Sequence, residues 1–261
     1  MLKIESIKPE LINSGFLRYV LYFDEIDSTN NFIKSHDIAA DTLVISEYQL
    51  NGKGRNSSKW ESEKHKNLTF SIKKDFRSFN VQNFSVLNYI SYCIYITIKN
   101  IYIENVIAGT ENNLWIKWPN DIYFGNKKLC GILSETKLGS GIFIIGAGIN
   151  CNQVNFTENL NATSLKIITG KKINLNFLLL QLILSFSKNL NYLSSDKEDL
   201  LFKKWKNSTN MINKKCEFIS SGNKLNSGII KDLNTDGSIL IKVNDEIKKF
   251  YSGELKLTSF N

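Results

Sequence analysis

Apolar residues along the chain fall into two kinds of spacing. From Phe84 to Tyr102, the positions Phe84, Leu87, Ile90, Ile94, Ile98 and Ile101 recur at three- and four-residue intervals, which predicts one amphipathic helix. The stretches from Asn176 to Leu193 and from Lys197 to Asn207 predict two more. Elsewhere the apolar runs are short and rich in β-branched and aromatic residues. The segments 16–23, 42–47, 67–73, 114–118, 121–124, 128–136 and 141–150 read as strands. Gly125-Asn126 and Gly139-Ser140-Gly141 are hairpin-type breaks among the later ones. Asp27-Ser28-Thr29-Asn30 offers N-cap residues for a short helix toward His36. Residues 48–66 are polar and contain glycine, long enough to be a functional loop.

After Lys214 the pattern becomes short alternating segments, with turns at Ser221-Gly222-Asn223 and Thr235-Asp236-Gly237. That predicts a small antiparallel β module, which at this size packs on a larger body. The expected architecture is α+β. A mixed, mostly antiparallel sheet with packed helices spans 1–212, and a small β domain spans 213–261.

The 261 residues fit one large domain or a large one plus a small one, and 42% hydrophobic content is enough for a buried core. Met1 to Asn13 alternates charge and lacks a signal-like apolar stretch. The longest apolar stretch, Phe177 to Phe186, is interrupted by Gln181 and Ser185 and falls short of the ~20 residues a spanning helix needs. Cys93, Cys130, Cys151 and Cys216 are far apart and form no C-x-x-C pair. They read as reduced, buried thiols rather than zinc ligands. A cytoplasmic protein with no membrane partner is expected.

The net charge of +8 alone suits nucleic acid, an anionic membrane or a small anionic substrate. Only three of 33 basic residues are arginine (Arg18, Arg55, Arg77), beside 32 asparagines, so part of the excess is compositional drift. The excess is also local. Residues 46–74 carry a net +4 and 117–137 a net +2, whereas the stretch from 214 is nearly balanced. No recognition helix or aromatic-basic platform accompanies the charge, which argues against a nucleic-acid partner.

The chemistry-bearing segments sit in those basic stretches. Gly52-Lys53-Gly54-Arg55-Asn56-Ser57-Ser58-Lys59-Trp60 supplies glycines that permit close backbone approach, cations that neutralise phosphate, and an indole able to stack on a base. It lacks the ending of a Walker loop. Lys117-Trp118-Pro119-Asn120-Asp121 is a turn that could present a cation, an amide and a carboxylate together. Asp121 could hold a magnesium ion alongside phosphate oxygens. Lys127-Lys128-Leu129-Cys130-Gly131-Ile132-Leu133 opens a strand with lysine, and Gly146-Ala147-Gly148-Ile149-Asn150 puts small residues where a ligand or backbone comes close. Each segment alone also reads as an ordinary loop, turn, strand or helix cap.

Their order and spacing are specific. DSTN, then EYQ…GKGR…KW, then KWPND, KLCGIL and GAGIN, from about Tyr22 to Asn152, resembles the biotin protein ligases, with a weaker match at Ala162-Thr163-Ser164-Leu165. The resemblance implies a class II synthetase-like catalytic domain and a small SH3-like β-barrel at the C-terminus. It implies ATP-dependent activation of biotin as biotinyl-5′-AMP, with magnesium, and transfer to a lysine of a biotin carboxyl carrier domain. No tightly bound prosthetic group is expected. By the same resemblance Ser28, Thr29, Asn30, Gln49, Gly52, Lys53, Gly54, Arg55, Lys128 and Gly131 hold biotin. Trp60, Lys117, Asn120 and Asn150 meet the nucleotide, and Arg55, Lys128 and Lys117 carry the catalysis.

Departures from the family's G-R-G-R-x-G-R loop are Lys53, Ser57 and Ser58. Lysine keeps the charge but loses the bidentate fork, and the missing last arginine predicts faster leakage of the adenylate. Too few residues precede the first predicted strand for the helix-turn-helix domain that some members carry. The family includes monomers and homodimers, and both remain open. The competing enzyme is a lipoate or octanoate ligase or transferase of the same fold. A member that binds biotin without ligating it is the non-enzymatic alternative.

Overall fold

Three central strands sort their side chains by size. In β3 (Leu68–Asp75), β6 (Lys127–Thr136) and β7 (Ile142–Ile149), the register pairs Thr69 with Gly148, Ser71 with Gly146, Gly131 with Gly148 and Leu133 with Gly146. Alternation puts these residues, small or polar except for Leu133, on one face and Phe70, Ile72, Cys130, Ile132, Ile145 and Ile149 on the other. The apolar set is buried.

Around this centre lie β1 (Tyr19–Phe23), β2 (Thr42–Ser46), β4 (Leu114–Lys117) and β5 (Asp121–Phe124), completing a sheet of order β1-β2-β3-β7-β6-β5-β4. Only β1 and β2 pair in parallel; the other pairs are antiparallel, so the sheet is mixed as expected. The computed structural model describes residues 1–54, 58–104, 113–137, 139–157, 160–219, 225–251 and 253–258. The turn predicted at Ser221 to Asn223 lies outside them.

Helix α3 (Asn83–Ile98) packs on the apolar face, where Asn83 accepts from the Ser134 hydroxyl at 2.6 Å. It is buried on nearly every side, because α5 (Leu175–Asn189) and α6 (Glu198–Asn207) cover it. The Trp205 indole donates to Ser91 Oγ at 3.0 Å, and Tyr89 donates to the Phe186 carbonyl. The helical pattern extends past Ile98 as a π turn, Lys99–Ile103. Helix α2 (Thr29–Ser35) lies on the opposite face, against β2, β3 and β7.

Two helices escaped the sequence pattern. α1 (Ile4–Asn13) buries only Ile4 and Leu11 and carries Pro9 inside it, so neither periodicity nor a cap announces it. α4 (Leu165–Thr169) is too short for a period and is recognisable only from its Ser164 cap, which accepts from Ile167 N. No helix among the described residues is long and apolar enough to cross a membrane.

The C-terminal strands β8 (Lys215–Ile219), β9 (Leu225–Leu233), β10 (Ile239–Val243), β11 (Glu246–Phe250) and β12 (Glu254–Leu257) form an antiparallel sheet, β11-β10-β9-β8-β12. It packs on the main body. The Trp118 indole donates to the Gly237 carbonyl at 2.9 Å, and Lys206 pairs with Asp232 at 2.5 Å.

All four cysteines are free and buried. Burial pushes the Cys151 thiol up to about 12 and Cys216 up to about 11, and raises Cys93 and Cys130 as well. Because the thiolate is the reactive form, none should react with Ellman's reagent in the native protein at neutral pH, and all four should react in denaturant. Stoichiometric labelling before unfolding would contradict this packing.

Candidate active site

The site starts at the first turn of α2. Ser28 caps the helix, its Oγ accepting from Asn31 N at 3.4 Å. Thr29 donates twice to Gln49 Oε1, from its backbone N at 2.8 Å and its hydroxyl at 3.0 Å, and its hydroxyl also meets Ser71 Oγ at 2.8 Å. The Gln49 carbonyl is thereby occupied and its amide nitrogen remains as a donor. Next to it, Asn30 donates from Nδ2 to Glu135 Oε2 at 2.7 Å.

The described flanks of the glycine-rich segment, 51–54 and 58–60, pair as the two arms of a hairpin. Trp60 N donates to Gly52 O at 2.9 Å, Gly54 N donates to Ser58 O at 2.7 Å, and Lys53 bridges Lys59. A Cβ on Gly52 would lie 2.5 Å from the Trp60 carbonyl, so this hairpin closes only around glycine. Its stem is tied to α2 by Asn51, whose side chain donates to Asp27 Oδ1 at 2.5 Å; the Asn51 and Asn31 amides hold the Asp27 carboxyl below its usual range. Farther back, Glu47 is buried at the loop's root. Tyr22 donates to it at 3.2 Å, Leu2 N donates to it, and His65 Nδ1 lies 3.1 Å away. Burial, with the Glu47 charge adding to it, pushes the Tyr22 hydroxyl up to about 12.

The hairpin delivers the Trp60 indole onto the bare face of the central strands. A Cβ on Gly148 would sit 2.2 Å from the ring, and one on Gly131 3.3 Å from it. These paired glycines make a flat seat for the indole.

The lysines come from the other side. A register shift in the β5–β6 pairing leaves Leu129 unmatched, and Lys128, opposite Tyr123 of β5, exchanges backbone hydrogen bonds at 2.9 Å with Asn161 and Thr163 on its other edge. Lys128 Nζ lies 2.8 Å from Asp121 Oδ1. Lys117 Nζ lies 3.2 Å from Tyr123 Oη and 4.7 Å from that ring's centroid, while burial raises the Tyr123 hydroxyl. Asn120, buried in the turn between β4 and β5, donates to the Ile132 carbonyl.

Together these residues enclose a cavity of about 430 Å³. Ser28, Thr29, Asn30 and Gln49 line one part, and Lys53, Lys117 and Lys128 approach it with Gly54, Trp60, Asn120, Asp121 and Gly131. Gly52 borders a separate depression outside the hairpin. Asn150 is buried behind Lys128, its backbone bonded to Leu129 and Leu165, and does not line the cavity. Arg55 and Ser57 lie outside the described residues. Asp121, the candidate magnesium ligand, is the ion-pair partner of Lys128. Among the described residues no cluster of three His, Cys, Asp or Glu side chains stands ready for a metal.

Residues 22–152, the stretch that carries these motifs, match the biotin/lipoate A/B protein ligase family, and residues 211–255 match the biotin protein ligase C-terminal domain. The chain belongs to the biotin/lipoate A/B protein ligase family. Within that family its relatives include the bifunctional ligase/repressor BirA of Escherichia coli (strain K12), 28% identical over 241 residues, covering 90% of this chain and 72% of the relative. BirA of Bacillus subtilis (strain 168) is 27% identical over 259 residues, covering 92% and 74%. Among solved structures, the biotin protein ligase from Aquifex aeolicus in complex with biotin and ATP superposes with a TM-score of 0.78 at 26% identity, covering 92% of this chain and 99% of that one. The ligase fold expected from the sequence is the fold found.

Several cavity residues of this family member were not singled out in the sequence. Thr69 and Ser71 were visible only as the polar phase of a strand. Phe218, Leu255 and Lys256 reach the cavity from the second sheet, and nothing local to them signals it. Gly148→Ala should unseat Trp60 while leaving the sheet paired. The other three tryptophans are buried, so the expected result is a gain in acrylamide quenching from a single indole. Unchanged quenching would mean the seat is not needed.

Proposed function

We propose that the protein is an ATP-dependent biotin–protein ligase acting through biotinyl-5′-AMP. One observation carries the reading: a single cavity joins a hydrogen-bonding end, built from Thr29, Asn30 and Gln49, to three lysines, Lys53, Lys117 and Lys128. Its volume falls in the range of roughly 300–1,000 Å³ usual for small-molecule sites.

The chemistry explains why such a junction is needed. A biotin carboxylate oxygen attacks the α-phosphorus of ATP, a P–O bond forms, the bond to the β-phosphate oxygen breaks, and pyrophosphate leaves. Two anions must meet, so fixed cations aimed at the developing charge supply the stabilisation. Lys128, oriented by Asp121, is assigned to the carboxylate and α-phosphate, and Lys53 and Lys117 to the flanking oxygens. The ε-amine of a carrier-domain lysine then attacks the acyl carbon. A C–N bond forms, AMP leaves with the C–O electron pair, and the amine gives up its proton. This second step needs no nucleophile from the enzyme. Residues near 212 divide the catalytic body from the C-terminal β domain in this reading.

The amide-rich end favours biotin over lipoate or octanoate. Gln49 retains an N–H donor for a carbonyl, which a ureido ring offers and a dithiolane or alkyl chain does not.

Labelled biotin should be transferred to a biotin carboxyl carrier domain in the presence of ATP and magnesium, and lipoate should not replace it. Lys128→Ala should lower biotin-dependent ATP–pyrophosphate exchange by about 10²–10³-fold with an unchanged melting temperature. Exchange at the full rate in that folded variant would remove Lys128 from the mechanism.

A further inference from the structure

Glu135 stands at the far end of β6, outside the cavity lining, yet it holds a residue inside it. Its Oε2 accepts from Asn30 Nδ2 at 2.7 Å, across 105 positions of sequence. Its Oε1 is tethered by Lys34 Nζ at 2.5 Å, one helical turn beyond Asn30 on α2. A carboxylate can only accept, so whichever amide atom of Asn30 faces Glu135 must be the nitrogen. The other atom, Oδ1, is then fixed as an acceptor. Asn30 is 4% exposed and lines the cavity, and its Oδ1 is buried with no hydrogen-bond partner among the described residues. A buried amide oxygen left unpaired carries a penalty that a ligand donor would remove.

We propose that Glu135 is a positioning residue that sets the orientation of the Asn30 amide, so that Asn30 presents its oxygen to an N–H group of the bound substrate. Under the biotin-ligase reading, on which this rests, that donor is a ureido N–H. Asn30 and Gln49 then form an acceptor–donor pair matched to the N–H and C=O of one ureido edge. The Lys34 tether keeps the carboxylate on Asn30, and Gly146 leaves room beside it: a Cβ there would lie 3.7 Å from the Asn30 amide.

The test exchanges donor and acceptor. Asn30→Asp places a carboxylate against Glu135 and should weaken biotin binding, read by calorimetry on the full chain, by about tenfold or more. Glu135→Gln still offers Asn30 a carbonyl and should cost only about threefold. In the double variant Asn30→Asp/Glu135→Gln, the glutamine amide donates to one aspartate oxygen and the other oxygen faces the ligand. Affinity should return to within about threefold of the unaltered protein. The KM for ATP should stay constant throughout, as a general loss of structure would not allow. If the unaltered protein binds biotin and the double variant is no better than Asn30→Asp, the positioning role is overturned alone. If the unaltered protein does not bind biotin, the functional reading is overturned and this inference with it.

Discussion

The site depends on a sheet whose middle is nearly bare on one face. Gly131, Gly146 and Gly148 put backbone where other strands put side chains, and the register sets them beside Thr69 and Ser71. Close packing normally fills such a face. Here the opposite face carries the apolar packing, with Ile145, Ile149, Cys130 and Ile132 buried there and α3 lying against β6. The strands can therefore afford an empty side, and that side receives α2, the Trp60 indole and the lysines. Each glycine weakens a strand intrinsically. The three sit on interior strands, paired on both edges, where the ladder offsets the loss.

On this floor the polar groups are ordered by mutual restraint rather than by packing. Gln49 is fixed by Thr29, Thr29 by Ser71, Asn120 by the Ile132 carbonyl and Lys128 by Asp121. Restraint of this kind is what preorganisation requires, since a group already oriented loses little freedom when the substrate arrives. Asp121 has a second effect. Three lysines sharing one cavity repel each other, and the carboxylate beside Lys128 reduces that repulsion while leaving the ammonium its remaining donors.

α3, α5 and α6 were legible from their helical spacing, the strands of the first sheet from their short β-branched and aromatic runs, and α2 from its Ser28 cap. What stayed hidden has one physical character: it is set by long-range contact. α1 is held by a few residues against α5, the second sheet's Leu255 and Lys256 meet the cavity only after folding, and Glu135 acts on Asn30 across the sheet. The motif residues fared differently from one another. Thr29, Gln49, Lys117 and Lys128 converge on the cavity, whereas Asn150 stands behind it and Gly52 serves the hairpin's closure. The +8 charge, ambiguous as a total, takes on meaning once Lys53, Lys117 and Lys128 share one space.

That the cavity's cations among the described residues are lysines has a structural consequence. An arginine imposes geometry through its planar fork, whereas a lysine is a point charge on a flexible stem. A site built from lysines must take its geometry from what surrounds them. Lys53 gets it from the hairpin closed at Gly52–Trp60 and Gly54–Ser58, Lys117 from the Tyr123 ring and hydroxyl, and Lys128 from Asp121 and its backbone bonds to 161 and 163. Drift from arginine to lysine would loosen a site whose cations stood free. It is tolerable here because Lys117 and Lys128 are each anchored by a neighbour that the fold holds in place, and the hairpin fixes the backbone of Lys53.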